Sequence, residues 1–125
     1  LTVNALCAAH SVLVPLQCEF YALEGLSQLM RTIASVQGGL NRQLVMQGIV
    51  LTMYDGRNKL SEQVANDVRT HLGNLVYNTV IPRNVRISEA PSFGQPVLIY
   101  DLNCAGSKAY IALAAELLEQ EKEAA

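Results

Sequence analysis

Three short apolar runs, separated by longer segments of helical period, constrain the fold of this chain more tightly than any other feature. The runs cover residues 12–16, 45–53 (centred on Gly48-Ile49-Val50-Leu51-Thr52) and 76–81, the last closed by Pro82. They are rich in Val, Ile and Leu and apolar at consecutive positions, the habit of strands buried on both faces of a parallel sheet. Between the first two, Leu26, Met30, Ile33 and Gln37 fall on one side of a helix over 21–37. Leu23, Leu29 and Val36 widen that side, and Gly38-Gly39 stops it. Between the second and third, Asp55-Gly56 makes a turn and Asn58 caps a helix in which Leu60, Val64, Val68 and Leu72 recur every fourth residue before Gly73. A short helix over 2–9 precedes the first strand. After the third, 83–96 reads as loop with one helical turn near 85–89. A last helix is capped by Gly106-Ser107 and carries Tyr110, Leu113, Ala114, Leu117 and Leu118 at helical spacing.

Strand, helix, strand, helix, strand, helix, with crossovers of this length, predicts parallel pairing in an open α/β sheet. Three strands are few for such a sheet, and the chain opens abruptly at Leu1 without a methionine. The expectation is a chain cut from a larger sheet. No apolar run approaches the roughly 20 residues that a membrane helix needs, and no secretory signal is visible. Cys7, Cys18 and Cys104 are odd in number and lack CxxC spacing, which predicts a reduced, cytoplasmic protein. Four of the eleven acids (Glu116, Glu119, Glu121, Glu123) crowd the last ten residues, so the remainder is near neutral. Charge placement, not net charge, must point to any polyanionic partner.

Ligands of open parallel sheets bind beyond the carboxyl ends of the strands. Here those ends lead into Gln17-Cys18-Glu19-Phe20-Tyr21, Thr52 to Lys59, and Pro82 to Arg86, and topology puts all three on one rim. Four of the nine bases, Arg57, Lys59, Arg83 and Arg86, gather there. A solvated polar rim is the plainer reading of the same pattern. No GxxxxGK[ST] phosphate loop, GxSxG, HExxH or Cys/His metal spacing is present. Cys7 and His10 share a helix face but make only two ligands. Cys18 beside Glu19 lacks a nearby histidine, since His71 lies late in a helix. No catalytic or metal-ligating set is predicted.

Longer motifs then identify a resemblance. The segment Pro15-Leu16-Gln17-Cys18-Glu19-Phe20-Tyr21-Ala22-Leu23-Glu24-Gly25-Leu26 resembles P-x-Q-x-E-[YF]-[YF]-A-L-E-G-L of the ParA/Soj family of partitioning ATPases. Thr52-Met53-Tyr54-Asp55-Gly56-Arg57 resembles its T-M-[YF]-D-x-R loop. Ile81-Pro82-Arg83-Asn84-Val85-Arg86-Ile87-Ser88-Glu89-Ala90-Pro91-Ser92-Phe93-Gly94 resembles its I-P-R-N-V-R run. The resemblance implies that residues 1–125 are the C-terminal half of a P-loop NTPase-like parallel sheet with flanking helices, lacking the Walker A region.

It also implies a chromosome- or plasmid-partitioning protein whose ATP-bound homodimer binds DNA without sequence preference and whose hydrolysis is triggered by a ParB-type partner. Arg57 and Arg86 match the family's DNA-binding arginines, suited to fork-shaped contacts with phosphate. Thr52, Met53, Pro82, Arg83 and Asn84 match the adenine side of the nucleotide site, although strand-end packing serves equally for Thr52 and Pro82. ATP and Mg²⁺ are expected in the intact family protein, but no tight binding to this chain alone, which is expected to be inactive because hydrolysis needs positioned phosphates and metal. The implied location is cytoplasmic and nucleoid-associated. Two alternatives remain open: a MinD-like membrane-associated ATPase, opposed by the acidic C-terminal helix, and a stand-alone interaction module derived from the same fold.

Overall fold

The computed structural model describes residues 1–124. Helix α1 (Thr2–Ala8) leads into β1 (Ser11–Gln17), α2 (Ala22–Gly38), β2 (Val45–Tyr54), α3 (Lys59–Leu72) and β3 (Val76–Pro82). The strands form one sheet in the order β1-β2-β3, and both pairs are parallel. The alternation of apolar runs and helical periods therefore does what the sequence predicts. Helices α2 and α3 share one face of the sheet: Leu26, Val64 and Val68 pack with Val14, Leu16, Ile49 and Leu51.

The central strand is buried on both sides, as its unbroken apolar run requires. Ile49 and Leu51 face α2 and α3, while Val50 joins Tyr77 and Ile81 on the opposite face. That second face is covered by α6 (Ala105–Ala124), through Ala109, Leu113 and Leu117. The first strand differs from expectation. Val14 and Leu16 are buried, but Leu13 is 40% exposed and Pro15 is also exposed, because α6 lies over β2 and β3 and does not reach β1. Pro15, with no N–H to donate, is tolerated on such an edge strand.

A bulge in the β1–β2 pairing brings Leu13 opposite Gly48. A Cβ at Gly48 would sit 2.3 Å from the Tyr77 ring, so only glycine lets that fully buried ring lie across β2. On the far side, Asn41 closes α1: its amide donates to the carbonyls of Leu6 (3.0 Å), Cys7 (3.2 Å) and Ala9 (2.9 Å), satisfying groups that a helix end leaves unpaired.

The stretch after β3 is more ordered than its sequence suggests. It folds as α4 (Val85–Glu89), a 3₁₀ turn (Ala90–Phe93) and α5 (Val97–Tyr100). Asn84 caps α4 by accepting the Arg86 N–H at 2.8 Å, and left-handed Gly94 ends the 3₁₀ turn. The turn at 85–89 is the one expected, whereas the 3₁₀ turn and α5 are too short to show a helical period. The predicted cap of the last helix also moves. Gly106 and Ser107 lie inside α6, and the Cys104 sulfur accepts the Ser107 N–H at 3.4 Å. The fully buried Ser107 hydroxyl instead ties α6 to the carbonyls of Val97 (3.1 Å) and Asp101 (2.6 Å). A Cβ at Gly106 would meet Ile87 at 2.5 Å, so its absence lets α6 close against α4.

Candidate functional site at the carboxyl edge of the sheet

The three strand ends are stitched together where they leave the sheet. The Cys18 N–H donates to the Thr52 carbonyl (3.1 Å), and the Arg83 N–H donates to the Tyr54 carbonyl (2.8 Å). Arg57, in the loop after β2, and Arg86, in α4 just after β3, thus follow neighbouring strands on a common rim. Arg57 is 94% exposed. Its N–H donates to Asp55 Oδ1 at 3.0 Å, and its Nε lies 3.5 Å from the same oxygen. That backbone hydrogen bond holds the Asp55 carboxyl below its usual range against partial desolvation, aided by the guanidinium groups of Arg57 and Arg83. Lys59 opens α3 and is exposed. A cation there opposes the helix dipole, so the helix gains nothing from its charge.

Arg86 is surrounded differently. Its Nη1 lies 3.4 Å from Glu89 Oε2 and its Nε 3.4 Å from Asp101 Oδ2. The Tyr100 hydroxyl donates to Glu89 Oε2 at 2.7 Å, which, with some burial, raises the Tyr100 pKa. The Phe93 ring stacks on Tyr100 with centroids 5.2 Å apart.

Beside this rim, a cleft of about 220 Å³ is lined by Thr52, Met53, Pro82 and Asn84, with Gln17 and Tyr110. Four of the five residues assigned to the adenine side therefore come together. Arg83 does not line the cleft, and its influence falls on Asp55 instead. The volume is below the ~300 Å³ of a whole-ligand pocket and suits one end of a larger ligand. Met53 has φ 55, left-handed backbone that a side-chain-bearing residue rarely adopts and that costs about 1–2 kcal/mol. Strain of this kind concentrates at binding sites. Sequence reasoning missed Gln17 as a cleft residue, although it ends β1 at the same rim. It also missed Glu89, Tyr100 and Asp101 around Arg86.

Cys18 is buried, and burial pushes its thiol pKa up despite the charge of Arg69, the reverse of activation. Among the described residues no group of three or more His, Cys, Asp or Glu could hold a metal ion. No helix among them is long and apolar enough to cross a membrane.

Comparison with known proteins gives the family of the chain. A family model described as an AAA domain matches residues 1–46. The chromosome partitioning protein ParA of Caulobacter vibrioides is 68% identical over 123 residues, covering 98% of this chain and 46% of that protein. The sporulation initiation inhibitor protein Soj of Bacillus subtilis is 52% identical over 117 residues, covering 94% and 46% respectively. The chain belongs to the ParA/Soj family. It spans a little under half the length of these curated relatives. Among solved structures, cobyrinic acid a,c-diamide synthase from Mycobacterium smegmatis, with bound ADP and magnesium, superposes with a TM-score of 0.71 at 35% identity. That match covers 98% of this ParA/Soj chain and 42% of the synthase.

Proposed function

We propose that this chain is the DNA-facing and base-facing part of a partitioning ATPase, a cytoplasmic, nucleoid-associated protein that works as an ATP-bound homodimer. Arg57 and Arg86 contact DNA phosphates without reading sequence. The cleft between Thr52, Met53, Pro82 and Asn84 receives the adenine end of ATP. The phosphate loop and Mg²⁺ site come from the part of such a protein outside these 125 residues, in keeping with the 46% coverage of the ParA relative. A ParB-type partner triggers hydrolysis.

The observation that carries this reading is the rim itself. Two exposed arginines follow the carboxyl ends of hydrogen-bonded neighbouring strands, and the end residues of those strands line a cleft that suits one end of a nucleotide. Guanidinium groups at strand ends, one in the loop after β2 and one in the short helix α4, suit fork-shaped contact with phosphate oxygens, which carries no sequence information. The test is binding of the full-length protein, with ATP and Mg²⁺, to two fluorescent duplexes of unrelated sequence. Equal affinity for both, weakened alike by Arg57→Ala and by Arg86→Ala, is the expected result. A strong preference for one duplex, or full affinity in both variants, overturns the assignment.

A further inference from the structure

Arg57 and Arg86 share a rim but not an electrostatic environment. Arg57 faces one carboxylate oxygen, which its own N–H already occupies, and its side chain is 94% exposed. Arg86 is 53% exposed and gripped from two sides by Glu89 and Asp101. Both carboxylates are themselves anchored. Glu89 accepts the Tyr100 hydroxyl at 2.7 Å, and Asp101 Oδ1 accepts the Asn103 N–H at 3.1 Å. One guanidinium between two fixed carboxylates presents a net negative charge to an approaching anion. Yet both contacts, at 3.4 Å, are longer than the roughly 2.7–2.9 Å of a strong charge-assisted bond. They are loose enough to exchange.

We propose that Glu89 and Asp101 restrain Arg86, which must exchange Asp101 for a phosphate oxygen when DNA binds. The restraint holds affinity down and keeps the complex reversible, while the Tyr100–Glu89 contact keeps the second carboxylate in place for the return. This deepens the DNA-binding reading above and rests on it.

Asp101→Asn tests the idea with little structural disturbance, because asparagine can keep the oxygen that accepts the Asn103 N–H while the oxygen facing Arg86 becomes an uncharged amide nitrogen. With ATP and Mg²⁺, the full-length variant should bind a random-sequence fluorescent duplex roughly two- to fivefold more tightly at low salt, the range spanned by one exposed ion pair. The gain should vanish in an Arg86→Ala background. Unchanged or weaker binding by Asp101→Asn overturns the restraint. So does an equal gain without Arg86, which marks diffuse repulsion. Arg86→Ala alone separates the two claims. If it leaves affinity unaltered, the DNA contact assigned to Arg86 itself fails, and the restraint with it. If it weakens binding but Asp101→Asn brings no gain, only the restraint fails.

Discussion

Replacing Glu116 probes how the outer edge of the sheet is closed. The pairing of β3 with β2 shifts register between Val76 and Val80, and two successive N–H groups turn away from the sheet toward α6. Glu116 takes both, from Asn78 and Thr79 at 2.8 Å each, together with the Thr79 hydroxyl at 2.6 Å. A sheltered hydrogen bond to a charged acceptor contributes about 1.5–3 kcal/mol. Asn78 is exposed and Glu116 only half-buried, so water replaces part of this. We expect a loss of about 2 kcal/mol for Glu116→Ala and about 1 kcal/mol for Glu116→Gln, whose single amide oxygen still accepts. The alanine variant should therefore melt about 4–8 °C lower by circular dichroism. Burial pushes the Glu116 carboxyl up, but the Thr79 and Asn78 hydrogen bonds outweigh it and hold its pKa below the ordinary glutamate value. Its folded pKa is thus depressed relative to the unfolded chain. The stabilisation is complete above the unfolded value and fades as pH falls through the folded one, so wild type and Glu116→Gln should converge in acid. Identical melting of both at neutral pH, with unprotected Asn78 and Thr79 amides in hydrogen exchange, would refute the clamp.

Two further substitutions test the packing and the cleft. Gly48→Ala forces a methyl into the Tyr77 ring and should destabilise by about 2–3 kcal/mol, measured by urea denaturation; wild-type stability would show that the ring moves freely. Met53→Gly releases left-handed strain and should raise stability by about 1 kcal/mol while removing a cleft wall, so ATP should bind more weakly to a more stable protein; stability falling together with affinity would contradict this division.

Most of the architecture is visible locally in the sequence. Consecutive apolar residues in β2 announce burial on two faces, and Asn58 announces the start of α3 by accepting the Leu60 N–H at 2.9 Å. What stayed hidden depends on distant partners. Asn41 reaches back more than thirty residues to cap α1, and Glu116 reaches almost forty to hold β3. Nothing in their neighbours marks them as different from other polar residues. The one-sided burial of β1 is hidden because it depends on where α6 lies. For the site, strand ends put Arg57 and Arg86 on one rim without any coordinates. The surroundings of Arg86 escaped notice because Tyr100 and Asp101 return to it only through the turn and α5, which show no periodicity.

The most direct examination of the account is the salt dependence of DNA binding by the full-length protein bearing both Arg57→Ala and Arg86→Ala. Each phosphate contact contributes about 0.9 to the slope of log K against log salt. The double variant should bind more weakly, with a slope shallower by about 1.8 than wild type. A slope and affinity indistinguishable from wild type would remove both arginines from any nucleic-acid contact, and with them the function proposed for this rim.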